Sequence, residues 1–258
     1  MRLTDKRIKK IKSMKKEFLS LIVLTALAML TSCSCNGLNV NFAKTKPLAE
    51  ETRQIKGFER IELLGSLDVR YCQADSFSVL VKAPADVIKD VETRVKGNTL
   101  VVNMKGTNNI INIGVSNSEN VTVYVTSPDF IGIELRGSGD FDCKNLLDTD
   151  KLDISLKGSG DIEFDDIICD EINVSLVGSG DVDVKNVKML RSNVNLVGSG
   201  DIKVNYDKSG KVEANLTGSG DIELTGEVTE YRSNVRGSGD MHRDGLLVRS
   251  KETMVNEK

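Results

Sequence analysis

The chain is predicted to be all-β, a parallel β-helix (solenoid) with rungs of about 20 residues. Three observations predict it. Gly-Ser-Gly-Asp occurs six times, starting at Gly137, Gly158, Gly178, Gly198, Gly218 and Gly237, so copies are 19 to 21 residues apart. Each copy is flanked by apolar residues alternating with polar ones. Aromatic residues make up only 4% of the chain and tryptophan is absent, so the core is expected to be aliphatic. A unit this short cannot enclose its own core and must bury its apolar face against its neighbours.

The strand before each glycine pair carries Ile133 and Leu135, Ile154 and Leu156, Val174 and Leu176, Val194 and Leu196, or Ala214 and Leu216. After the tetrapeptide the alternation resumes with Phe141 and Cys143, Ile162 and Phe164, Val182 and Val184, Ile202 and Val204, or Ile222 and Leu224. A period of two gives each strand one buried face. Between them the glycines predict a corner, because a straight strand would leave a column of inward positions with no side chain. Glycine supplies the positive φ of a sharp turn, and the adjacent Asp is expected to accept a turn amide or a Ser hydroxyl hydrogen. The remainder of each unit holds one or two apolar residues and is expected to form a third short side.

Two other repeats of similar composition fit less well. Leucine-rich repeats require regularly spaced Leu and an Asn ladder, where these units have β-branched residues around glycine. Calcium-binding nonapeptide rolls have half this period.

Residues 57–132 read as irregular rungs of the same solenoid. The stretch from Ile61 to Val69 repeats strand, break and strand, with Leu67 in place of the second glycine. Further strand signals lie at 78–81, 99–102, 111–115 and 121–125, and 85–95 reads as a short helix or an excursion. Gly65 and Gly137 are 72 residues apart, which is not a multiple of 20, so insertions interrupt this part. A separate N-terminal domain is the alternative.

Residues 1–32 read as a lipoprotein signal peptide. Eight Lys and Arg precede an apolar run from Phe18 to Leu30, which is shorter than the ~20 residues of a membrane span. Leu30-Thr31-Ser32-Cys33 has the form of a bacterial lipobox, making Cys33 the expected lipidation site. Cys35 has Ser32 three positions upstream and is the poorer acceptor. Residues 33–54 are polar and unpatterned, a flexible tether; 55–245 form the β-helix domain, with regular rungs from 133; and 246–258 are a polar tail. Removing the signal peptide leaves 27 basic and 36 acidic side chains, about −9, which argues against general nucleic-acid binding.

The stretch from Gly57 to Ile61, the segments Asp68 to Tyr71 and Val121 to Thr126, and the serial Gly-Ser-Gly-Asp units behind a lipoprotein signal together resemble the "putative auto-transporter adhesin, head GIN domain" family over residues 55–245. The resemblance implies a right-handed parallel β-helix in the bacterial cell envelope.

The candidate site is the column formed by Asp140, Asp161, Asp181, Asp201, Asp221 and Asp240. Unit charges one rung, about 4.8 Å, apart repel by roughly 1 kcal/mol in water. Either hydrogen bonds to the corner or cations between rungs are expected to offset this. The carboxylates repeat as a structural element would, and the single histidine, His242, lies near the end, so no catalytic residue is assigned. The spacing gives no dedicated metal site and no cofactor. Cys143 falls in the core slot taken by Phe164 one rung later and is expected as a buried thiol; a Cys143–Cys169 disulfide is the other reading.

The sequence therefore predicts a non-enzymatic, lipid-anchored module for binding, adhesion or structure, with a glycan or an envelope protein as ligand. Its expected place is the outer membrane, facing the periplasm or the surface. The alternative is a polysaccharide lyase or hydrolase on the same scaffold. The polar sixth unit, from Met241 to Asp244, is expected to blunt the end of the stack and keep the protein monomeric.

Overall fold

The computed structural model describes residues 47–106 and 121–249. The signal peptide, Cys33, Cys35 and the strand expected at 111–115 lie outside these residues. The strands in chain order are β1 (Leu48–Arg53), β2 (Arg60–Gly65), β3 (Asp68–Gln73), β4 (Ser78–Pro84), β5 (Val91–Lys96), β6 (Thr99–Met104), β7 (Thr122–Ser127) and β8 (Gly132–Gly137). They continue as β9 (Phe141–Asp148), β10 (Lys151–Gly158), β11 (Asp161–Ile168), β12 (Glu171–Gly178), β13 (Asp181–Lys188) and β14 (Arg191–Gly198). Two long strands, β15 (Asp201–Gly218) and β16 (Ile222–Gly237), lead to the short β17 (Met241–His242) and β18 (Leu246–Val248).

The regular part is a parallel β-helix. β10 pairs in parallel with β8 and β12, and β12 with β14, while β11 pairs with β9 and β13. This register places Leu63, Leu135, Leu156, Leu176, Leu196 and Leu216 in one column, all at most 1% exposed. Stacking identical branched side chains fills the interior at every rung with the same shape, so one core solution serves the whole repeat.

The expected third side is present in reduced form. In β11 the inward positions run Ile162, Phe164, then Ile167, and pairing with β9 is irregular between Phe164 and Asp166. A slip from two residues to three between inward positions redirects the backbone within a continuous strand.

The interior is less purely aliphatic than composition suggested. Four of the scarce aromatics form one stack at the N-terminal rungs, where Tyr71, Phe130, Phe141 and Phe164 follow one another with ring centroids 4.1, 5.9 and 5.4 Å apart.

The irregular rungs do not follow chain order. β6 and β8 flank β2, and β7 and β9 flank β3, all in parallel. The chain thus makes rung β2–β3, steps outward to lay β6 and β7 beyond it, then returns past it to β8 and β9. That detour accounts for the spacing of 72 residues. Antiparallel strands finish this end, β5 on β6 and β4 on β7, and the stretch expected as helix or excursion is a short 3-10 turn, Ile88–Asp90, followed by β5.

Two boundaries move. The tether was expected to reach Gln54, yet β1 pairs antiparallel with β4, with Lys82 and Glu50 3.0 Å apart across it. An edge strand held by backbone bonds needs no buried face, so LAEETR carries no alternation to read. At the other end β18 pairs with β16, and the Arg249 amide donates to the Val228 carbonyl at 2.8 Å. The supposed polar tail therefore begins with ladder residues.

Candidate functional site

The repeated corner is built by stacking contacts. Gly158 has φ +146°, and a Cβ there would sit 2.0 Å from the Gly137 carbonyl oxygen of the preceding rung. A Cβ on Gly160 would lie equally close, 2.0 Å, to the Gly139 oxygen. Both positions need glycine because two backbones meet where a side chain would be. The closeness allows a bifurcated acceptor: the Ser159 and Gly160 amides both donate to the Gly137 carbonyl, at 2.9 and 3.2 Å. The same pair of bonds recurs at the Ser179, Ser199, Ser219 and Ser238 corners.

Leu67 shows why the first corner departs from the motif. A Cβ at the second glycine points toward the preceding rung, and the segment that joins β6 to β7, the rung beyond Leu67, contains no Gly-Ser-Gly. Its side chain is fully buried there. A residue that would break any later corner helps close the core at this one.

Asp140, Asp161, Asp181, Asp201, Asp221 and Asp240 do stack, and the structure adds Asp68 at the base. Each carboxylate Oδ1 accepts the backbone amide of the next Asp in the column. The distances run 3.3 Å (Asp140 N to Asp68), 3.2, 3.2, 3.1, 3.0 and finally 2.9 Å (Asp240 N to Asp221). The hydrogen-bonding expectation needs correcting in detail. Corner amides go to the carbonyl of the rung before, and the carboxylates bond forward between rungs, because stacking brings each Oδ1 under the next Asp amide. Asp68 was legible in principle, since Gly65-Ser66-Leu67-Asp68 is a seventh, imperfect copy.

Burial raises the carboxyl pKa of Asp140 and Asp161 most; the amide bond to each opposes this, and neighbouring ladder carboxylates add to the rise. Among the described residues no Lys or Arg pairs with a ladder aspartate. The cations are spent elsewhere: Lys144 and Lys185 both hold Glu163, and Lys185 also lies 3.0 Å from Asp165, on the outward face of β9, β11 and β13. They hold the Glu163 carboxyl below its ordinary value.

The outward face of β12, β14 and β15 is different. Register places Asn173 beside Asn193, Ser175 beside Asn195 and Asn215, and Val177 beside Val197 and Thr217. None of these eight side chains is charged, in a chain with 28% charged residues. Asn193 donates to Asn173 at 2.9 Å and Asn215 to Asn195 at 3.0 Å. Val177 and Val197 are 44% and 48% exposed, forming an aliphatic ridge beside the amides. Charge resumes at the borders, with Asp153 and Lys157 on one side, Glu213 and Arg236 on the other, and Glu171, Arg191 and Lys211 at the strand starts, where Asn173 donates to Asp153 at 2.9 Å and to Glu171 at 3.2 Å. Sequence reading missed this face because outward positions were read only as the polar half of an alternation.

A hollow of about 730 Å³ lies between β1, the 3-10 turn and β5. Three of its four cations have partners, Arg53 with Glu51 at 2.9 Å, Arg94 with Glu92 at 3.4 Å and Lys105 with Asp90 at 3.8 Å, and its lining contains no Tyr, His or Asp. It lacks the combination of carboxylate, cation and aromatic platform expected of a polysaccharide-cleaving cleft. Cys143 and Cys169 are not joined in a disulfide, and burial pushes their thiols up to about 12.

A family model described as "putative auto-transporter adhesin, head GIN domain" matches residues 57–242. Among solved structures, a putative adhesin from Bacteroides fragilis is 24% identical, with a TM-score of 0.64 over 77% of this chain and 98% of that one. A putative lipid binding protein from Parabacteroides distasonis is 19% identical, TM-score 0.60, over 78% and 97%. A putative adhesin from Parabacteroides merdae is 17% identical, TM-score 0.52, over 78% and 97%. At these identities the likeness is one of fold. No curated protein matches the chain.

Proposed function

This chain belongs to the "putative auto-transporter adhesin, head GIN domain" family, and from that premise we propose that it is a non-catalytic binding module of the bacterial cell envelope, anchored by a lipid on Cys33. The observation that carries the binding role is the uncharged patch of eight side chains within the outward face of β12, β14 and β15. Amide and hydroxyl groups repeat there at each rung, about 4.8 Å apart, beside a narrow aliphatic ridge. A flat array of this kind offers hydrogen bonds at a fixed step, with no charge to desolvate. It suits an uncharged polymer whose own hydroxyls repeat, and we take a neutral glycan as its ligand. A charged partner would gain nothing from the face and would meet repulsion from one sign or the other at its borders.

The outer membrane is the proposed location of the anchor. Among the described residues no helix is long and apolar enough to cross a membrane. The mature chain's net charge disfavours nucleic acid, and we expect a monomer.

The test is a panel of neutral and charged glycans probed with the purified mature protein. Saturable binding of a neutral glycan, lost in Asn195→Arg and Val197→Glu, supports the reading. Binding unaffected by both substitutions would place the ligand elsewhere, and release of new reducing ends would replace it with the enzyme reading.

A further inference from the structure

The last corner of the aspartate ladder differs chemically from those before it. Asp183, Lys203 and Glu223 stack in one outward column, and His242, the chain's single histidine, closes that column on β17. Its Nε2 lies 3.7 Å from Oδ2 of Asp221. The other oxygen of Asp221, Oδ1, accepts the Asp240 amide at 2.9 Å, which fixes the carboxylate and turns Oδ2 toward the imidazole. One ligand atom each from Asp221, Asp240 and His242 lies within 4.8 Å of the other two. We propose that these three side chains form a binding site for a divalent transition-metal ion, with zinc the fitting member of that class.

The donor set and the spacing agree on the class. Bond lengths of about 2.0 to 2.1 Å in a tetrahedral zinc site put ligand atoms about 3.3 Å apart. The His242–Asp221 pair needs to close by only about 0.4 Å to reach that spacing. Asp221 is held in place by its bond to the Asp240 amide, and the exposed side chains of Asp240 and His242 rotate to cover the remaining distance. An imidazole nitrogen with two carboxylates suits zinc, nickel or copper, whereas calcium and magnesium take oxygen donors. Earlier corners supply oxygen only, so the ladder has this donor set once, at its end.

Local charge favours the site too. No Lys or Arg of the described residues pairs with Asp221 or Asp240. The adjacent cation, Arg243, is drawn away onto the Tyr231 ring, 5.8 Å from its centroid. Two carboxylates without a Lys or Arg partner are left facing the imidazole nitrogen.

The metal would act as a clip. β17 is two residues long and is held by two register pairs to β16. A bond from His242 through the ion to Asp221 would tie this short strand to the rung beneath, at the end where the described residues add no further rung. Three protein ligands leave a position for water.

The single histidine makes the test direct. The full mature chain, prepared without a histidine tag, is titrated with zinc while the imidazole proton resonances are followed by NMR; one histidine gives one unambiguous set. We expect saturable one-to-one binding in the micromolar range and a higher melting temperature. His242→Ala and Asp221→Asn should each weaken zinc binding at least tenfold. Asp181→Asn, in mid-ladder, should leave it unchanged. Circular dichroism of the metal-free variants checks that all three fold. The proposal is overturned if zinc leaves the imidazole signals unmoved, if His242→Ala binds zinc as the parent does, or if calcium competes on equal terms.

Discussion

The stacked corners make a quantitative claim about single methyl groups that three glycines can separate. At Gly97, φ is +65° and nothing lies within 4 Å of an added Cβ, so Gly97→Ala meets only the left-handed backbone penalty, about 1 kcal/mol. At Gly180 the backbone is outside that region, but the Cβ would lie 2.0 Å from the Gly160 oxygen. Relieving that overlap means parting two rungs and weakening the paired amide bonds to one carbonyl, about 2 to 4 kcal/mol together. At Gly178 both effects combine, φ +142° and a Cβ 2.1 Å from the Gly158 oxygen, for about 3 to 6 kcal/mol. For a domain of this size each kcal/mol moves Tm by about 2 to 4 °C. Gly178→Ala should therefore melt about 6 to 24 °C below the parent, with Gly180→Ala between it and Gly97→Ala. Urea unfolding followed by circular dichroism gives the same order independently. If Gly178→Ala costs no more than Gly97→Ala, the rungs are not in the contact that defines the corner.

Asp161→Asn should stabilise the protein at neutral pH. The folded state raises this carboxyl above its unfolded value, so the native state holds more protons between the two pKa values, and the penalty is fully present above the folded one. The advantage of Asn should shrink as pH falls through that window; an advantage that grows on acidification would contradict it. The Cys143 and Cys169 thiols, both buried, should resist iodoacetamide in the native protein and react in denaturant, and rapid native alkylation would refute the packing around them. Cys33→Ser should abolish lipid labelling and detergent partitioning; a variant that still partitions fully with membranes would show that the anchor lies elsewhere.

The sequence alone determined what repetition can determine. A constant offset of about 20 residues makes each residue's neighbour its own counterpart, so the period, the Leu column from Leu135 to Leu216, the glycine corners and the stacking of Asp140 to Asp240 all followed from one unit read several times. Where the offset fails, that inference has nothing to count. The order β6–β2–β8, the antiparallel strands on the N-terminal end and the pairing of β1 join segments whose separation follows no period, and the edge strand β1 buries no face that would leave an alternating pattern. The tertiary structure also decided what each exception is for. Leu67 breaks the motif at the rung next to β6 and β7, which are joined by a segment with no Gly-Ser-Gly, and four of the rare aromatics gather in one stack because three different strands and a loop deliver them to the same interior level. The uncharged face and the approach of His242 to Asp221 arise in the same way. Each joins side chains that are distant along the chain or lie on different strands, and only the register between rungs sets which of them meet.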